Sequence, residues 1–423
     1  MRICSPVLLA IVLAVVTTGA GASGVYHDLG PIQDEKLRQK LAAAAAGLEK
    51  QPEDLASLET LVAFFGCEPL EHLGTSVVYV YDDETKKRAY AALVDAHSIA
   101  FLCEALTKGS DLAAEWALRL IAHQSRNDAC RDTPYGKRLR DGDGVVNGNA
   151  IARLREPVLG ALKSRPPRVR ALALRGHLSF LPAEESRTFV RGYVEDKDEL
   201  VAAAAISGCG YRDAFLWPVL WRHLRTSKNE ELLKACCSRL WLDDREDPGV
   251  TSEQQAILEQ VALHPDKTVR ESLTLALSNY AVPACPKMIA LLMKLAEDKE
   301  EYVRYSAIRS LRNAKTPEVN KKLLEFFDES QPEQVRSAAL EILGTFGEAN
   351  VTTVIAASRD KRPNIRSDAA YWLRQIATPE ALTALEAMLH DPDKNVRSRA
   401  ATEWDWAQKE KEWRRKRKEE QAR

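Results

Sequence analysis

This sequence is short of the local signatures that announce chemistry. Its eight Cys residues form no CxxC or CxxxxC pair, which removes the usual zinc forks and redox dithiols. Its eight His residues form no HExxH motif and no close pair, so a zincin-type helix is absent. There is neither a G-x-S-x-G elbow nor a Walker loop, hence no local reading of a serine nucleophile or a phosphate cradle. A triad assembled from distant segments would leave no such trace. An excess of one charge is missing too. With 60 Lys/Arg against 61 Asp/Glu in 423 residues, the net charge is −1 and nucleic acid is a poor partner. Aromatics make up only 7%, although eight of them are Trp.

The one long apolar run lies at the start. MRIC, PVLLAIVLAVV and TTGAGASG read together as a secretory signal, residues 1–22, cleaved near Ala22. The run is short for a membrane span, so no stable transmembrane segment is expected after cleavage. Cys4 precedes the run, which argues against lipoprotein processing. GAGASG formally matches GxGxxG, but it follows no separate strand and opens no amphipathic helix. Periplasmic or secreted localisation is therefore expected. Export would leave seven Cys, an odd number in an oxidising compartment. Inert buried thiols are the first reading, one or two disulfides the alternative.

What the chain does have is a period. "HPDKTVRESLTLALSNY" at His264 recurs as "DKEEYVRYSAIRSLRNA", "DESQPEQVRSAALEILGTFG", "DKRPNIRSDAAYWLRQI" and "HDPDKNVRSRAATEW". The hydrophobic-Arg steps at Val269-Arg270, Val303-Arg304, Val335-Arg336, Ile365-Arg366 and Val396-Arg397 are separated by 34, 32, 30 and 31 residues. Each unit has an acidic or Pro-containing turn, a V-R-x-x-A-x-x-x-L helix and a second apolar helix such as "PEALTALEAML". Neither helix can bury its stripe alone, so the units must stack. Weaker copies run upstream, in "PPRVRALALRGHLSFL", "DKDELVAAAAISGCG" and "NEELLKACCSRLWL".

This grammar resembles HEAT-like repeats, particularly the short variety of the phycobilin-lyase-related family, strongly over 264–407 and more weakly upstream. The resemblance implies an all-α, HEAT-like alpha-alpha superhelical solenoid of right-handed sense. It also implies a structural ladder in which Arg270, Arg304, Arg336, Arg366 and Arg397 bond acidic or carbonyl groups in neighbouring turns. Asp266, Asp298, Asp328, Asp360 and Asp393 are the nearby carboxylates, and Asp298 and Asp393 can also serve helix starts. Some HEAT-like enzymes resembling deoxyhypusine hydroxylase hold two irons with repeated His-Glu dipeptides, and this chain has none.

The domain reading is a signal at 1–22, an N-terminal helical cap at 23–83, divergent repeats at 84–263, regular repeats at 264–407 and a charged extension at 408–423. A polar insert at 125–150 breaks the divergent part, and Tyr135, Arg138 and Arg140 in it are candidates for contact with an anionic partner. Its DGDGVVNGN fails as a calcium loop, with Val at the turn position and no Glu at the twelfth. Trp217 and Trp221, four residues apart, share a helical face as core or as a groove lining. In "KEKEWRRKRKEEQAR", Trp413, Arg414 and Arg415 lie in a basic-rich stretch suited to a solvated helix or to weak contact with an anionic surface.

These readings combine into an exported, non-catalytic protein-binding scaffold with no cofactor and no metal, its specificity carried by the second helices. The alternatives are a bilin-lyase-like tetrapyrrole-handling enzyme and a purely structural cell-envelope protein.

Overall fold

The computed structural model describes residues 25–28, 31–51, 54–65, 78–81, 83–95, 99–124, 148–178, 181, 183–209, 213, 215–240, 250–278 and 285–421. The expected signal segment and most of the 125–150 insert, with Tyr135, Arg138 and Arg140, lie outside the described residues. The chain divides into two compact units, Met1–Gly208 and Cys209–Arg423.

The first unit carries the helices α1 (Glu35–Lys50), α2 (Leu55–Phe65), α3 (Glu84–Asp95), α4 (Ile99–Thr107), α5 (Asp111–Gln124), α6 (Gly148–Ser164), α7 (Pro167–Leu178), α8 (Ala183–Val190) and α9 (Glu199–Gly208). Two short strands, β1 (Val25–Asp28) and β2 (Val78–Tyr81), pair in parallel with Val25 opposite Val78. They add a sheet fragment to a region expected to be helical. VYHD and VYVY are β-branched and aromatic runs too short to show a period. Asp83 ties this end together. Its carboxylate accepts Ile32 N at 3.1 Å and caps α3 by accepting Thr85 N at 2.9 Å.

Pro157 sits inside α6 and has no N–H to offer the Arg153 carbonyl one turn back. The Cys103 thiol of α4 donates to that carbonyl at 3.4 Å instead. Burial pushes the Cys103 thiol above its ordinary value, consistent with a packing role. Cys237, buried in the second unit, is pushed up to about 12 by the same cause.

The second unit runs through α10 (Leu216–Thr226), α11 (Glu230–Arg239), α12 (Ser252–Val261), α13 (Lys267–Leu277), α14 (Pro286–Leu295), α15 (Glu301–Ser310), α16 (Pro317–Phe326), α17 (Glu333–Thr345), α18 (Val351–Ala357), α19 (Pro363–Ile376), α20 (Pro379–Ala387) and α21 (Lys394–Gln421). Helices α13, α15, α17, α19 and α21 carry the V-R steps and stack successively on one another; they are called ladder helices below. Helices α14, α16, α18 and α20 fill the second layer; α14, α18 and α20 each pack on the ladder helices before and after them, and α16 packs on α17. The result is the all-α repeat stack read from the sequence.

The stacking follows from residue size at fixed register. The hydrophobic residue of each V-R step is at most 1% exposed, and four residues on stand Leu273, Ala307, Ala339, Ala369 and Ala400, all at 0%. The four alanines there let adjacent backbones approach. A close approach occurs at Gly344 on α17, where a Cβ would stand 2.2 Å from the Trp372 ring of α19. Thr316 and Thr378 cap α16 and α20, each followed by Pro at the first helical position. Among the described residues no helix is long and apolar enough to cross a membrane.

Gly344→Ala should lower stability by about 1–3 kcal/mol through overpacking against Trp372. Thermal unfolding of Gly344→Ala, Trp372→Ala and the double variant checks this, with the double losing less than the sum of the singles.

Candidate partner-binding site

The ladder arginines set the frame on which any surface site is held. In α13, Arg270 Nη1 donates to the carbonyls of His264 at 2.8 Å and Pro265 at 3.0 Å, closing its own turn. Its Nε and Nη2 then donate to the two oxygens of Asp298 in the next turn, at 2.7 and 2.8 Å. Arg366 repeats the arrangement, with Nη1 on the Asp360 carbonyl at 2.9 Å and the fork on Asp391 at 2.7 and 2.8 Å. Arg336 grips Asp360 at 2.5 Å and the Phe327 carbonyl at 2.9 Å. In the first unit Arg170, inside the same V-R dipeptide, bonds Asp196 at 2.8 Å and also Asp198. Arg170 was not among the sequence candidates, although its dipeptide stood in the quoted repeat.

The carboxylates divide by position in the turn. Asp298, Asp360 and Asp391 take the arginine of the preceding repeat and also accept the N–H two residues ahead. Asp266 and Asp393 instead cap α13 and α21, accepting Thr268 N at 2.7 Å and Asn395 N at 2.9 Å. The partner of Arg366 is thus Asp391 rather than Asp393, because only the first acid of "DPD" faces back toward the preceding repeat. Asp328 is turned to Ser330, and Arg304 reaches only the carbonyls of Asp298 and Lys299. Arg397 likewise bonds the Asp391 and Pro392 carbonyls.

Asp391 is held below the usual carboxylate range first by its Arg366 hydrogen bonds. At Asp298 and Asp360 burial opposes the charge, and the arginine and backbone donors outweigh it.

The candidate site lies on the exposed edge of the ladder helices. A cleft of about 330 Å³ is lined by Arg312, Ser337, Glu341, Asp368, Tyr371 and Arg399, among others. Glu341 on α17 pairs with Arg309 at 3.2 Å and with Arg312. Ser337 Oγ donates to Asp368 of α19 at 2.5 Å, and burial pushes that carboxyl above its ordinary value. The Tyr371 ring has the guanidinium groups of Arg374 and Arg399 each 5.5 Å from its centroid. Glu403 of α21 joins the edge by pairing with Arg374 at 2.5 Å and Arg399 at 3.1 Å. Toward α13 the same edge carries Leu275 at 57% exposure and Tyr302 at 54%.

Specificity was expected on the second helices, but this mixed aromatic and charged edge is built by the ladder helices. Their direct stacking brings the sixth and ninth residues after successive V-R valines within reach of one another, as Arg309, Arg312 and Glu341 show. A larger cleft of about 880 Å³ in the first unit is lined by Gly109, Asp111 and Arg165. Its arginine is already held by Asp111 and the carbonyls of Leu106 and Gly109.

The aromatic candidates fall elsewhere. Trp217 and Trp221 meet edge to face with centroids 5.5 Å apart; Trp221 is buried in the core and Trp217 is half-buried beside it. Trp413 is 57% exposed on α21 with Arg417 over its ring at 5.2 Å. Arg414 and Arg415 lie on the same helix, and their side chains are outside the described residues. Among the described residues no three His, Cys, Asp or Glu side chains converge as metal ligands.

The family model for HEAT repeats matches residues 254–344 and 320–403. Residues 254–403 are HEAT repeats. The match spans all five V-R steps. Among solved structures, human deoxyhypusine hydroxylase in complex with glycerol is 19% identical, with a TM-score of 0.27, over 90% of this chain and 99% of that one. No curated protein matches the chain significantly.

Breaking one HEAT-repeat fork gives a signed test. Asp391→Asn should cost about 3 kcal/mol at neutral pH, because it strands a guanidinium in a pair whose side chains are 11% and 6% exposed. The folded carboxyl lies below its unfolded value near 4, so the wild-type advantage is complete above that pH and disappears as pH falls through the folded value. Denaturant titrations at neutral and acid pH should show the two curves converging in acid.

Proposed function

We propose that the chain is an exported, non-catalytic scaffold that binds another protein along the exposed edge of its ladder helices. The HEAT-repeat stack provides the frame. The observation that carries the reading is the edge around Glu341, where Tyr371, Arg312 and Arg399 border one cleft. Tyr and Arg are the residues that anchor protein interfaces, since they offer broad contact area and several donors. Fixed neighbours hold them in place before a partner arrives, so less ordering entropy is lost on binding.

Proximity labelling in the native host, comparing the full chain with its Glu341→Arg, Tyr371→Ala variant, tests the site. One saturable partner should be enriched with the parent and reduced about tenfold or more with the variant, while both give the same circular dichroism spectrum. Equal enrichment, or no saturable partner with either, overturns the reading.

Export rests on the N-terminal run PVLLAIVLAVV followed by small residues. Mass measurement of the natively expressed protein should find a mature N-terminus near Ser23. An intact Met1 in the cytosolic fraction would refute export.

A further inference from the structure

The last ladder arginine repeats only half of what Arg270 and Arg366 do. Arg397 Nη1 closes its own turn on the carbonyls of Asp391 at 2.7 Å and Pro392 at 2.9 Å. Its Nε and Nη2, the atoms that grip a carboxylate in the other two, have no acceptor among the described residues, and the side chain is exposed. Arg304 also lacks a carboxylate, but it is half-buried, and the turn ahead of it is present with Asp328 engaged by Ser330. Beyond Arg397, α21 runs on as one helix to Gln421, and no further ladder helix packs on it among the described residues.

A second observation marks the same face. Five residues after the V-R hydrophobic stand Thr274, Ile308, Leu340 and Ala370, all 0% exposed beneath their neighbours. The equivalent Ala401 on α21 is exposed, as is Ser398 beside it. Helix α21 therefore presents the stacking surface of a ladder helix with an empty carboxylate fork at its head.

We propose that this face seats a second copy of the chain, the two α21 helices packing antiparallel about a twofold axis at Ala401. The choice of a second copy rests on self-complementarity. Arg397 lies four residues before Ala401 and Asp405 four residues after it, so all three share one helical face. A twofold axis through Ala401 sets Arg397 of each copy against Asp405 of the other, twice over. The symmetric contact supplies the carboxylate that the next repeat supplies to Arg270 and Arg366. Ala401 and Ser398 are small enough for the helices to approach closely. Asp405 pairs at present with Lys409 at 2.6 Å, but their side chains are 60% and 65% exposed, and such a pair is weak enough to yield. This contact does not use the cleft around Glu341, so it stands or falls separately from the proposed partner site.

Sedimentation equilibrium on residues 23–423 tests it with Arg397→Asp, Asp405→Arg and the double exchange. The parent should dimerise reversibly in the micromolar range. Each single reversal turns two attractions into two repulsions and should weaken the dimer about tenfold or more. The double exchange restores both pairs and should recover the parent value within about threefold. Independently, Ala401→Cys should be joined into a covalent dimer by a short bis-maleimide, while the parent, treated identically as control for the native thiols, is not. A parent that stays monomeric, single reversals without effect, or a double exchange that fails to recover overturns the proposal. If a reversal disturbs the fold, as judged by circular dichroism, the cross-link decides alone, and its absence also overturns it.

Discussion

The register of the repeat stack rests on a guanidinium that does two jobs, at Arg270, Arg336 and Arg366. One nitrogen closes the turn that starts its own helix, and the other two reach forward to the acid of the next turn, as in Arg270 and Asp298. The planar group suits both tasks, since its donors lie in fixed directions that match a carboxylate on one side and carbonyls on the other. A lysine in its place would offer a point charge without that geometry. Because both partners are largely buried, neither charge is tolerable alone, and a slip of the stack by one helical turn would strand both. The apolar layer supplies the burial that holds repeats together; the fork sets where each repeat sits on the last.

Much of this was legible because the period multiplies a weak signal. One V-R dipeptide before a helix says little, whereas five at near-constant spacing, with alanine or leucine four residues on, define which face is buried. What the period could not say was which acid each arginine takes. "HDPD" holds two candidates, and the choice depends on the turn's backbone, which aims Asp391 backward and Asp393 into the α21 N-terminus. Arg170 shows the opposite case, a V-R step plainly written but set in a repeat too divergent to align with the rest.

The cleft around Glu341 was harder to see for a physical reason. Its side chains come from several successive ladder helices and are far apart in sequence, so no window contains them. Aligning the repeats by their V-R steps places Arg309, Glu341 and Tyr371 at one register, a signal available in principle once the outward positions are compared. The strands β1 and β2 gave no such handle, being four residues each and paired across some fifty residues of chain. Trp217 and Trp221 carried two readings from the start, because spacing four apart marks a core stripe as well as a groove lining.

The unfilled rung at Arg304 gives the stack an uneven resistance to salt. On either side, the Arg270–Asp298 and Arg336–Asp360 pairs are sheltered from solvent and little affected by ionic strength. Between α15 and α17 the ionic ties are instead Arg309 and Arg312 on Glu341, with both arginines about half exposed. Counterions reach those pairs readily, so electrolyte loosens this joint before its neighbours. Helices α15 and α17 also carry the Arg309, Arg312 and Glu341 edge, so ionic strength acts on the alignment of the cleft as well as on charge within it. The joint is thus the one whose interrepeat ion pairs lie open to solvent.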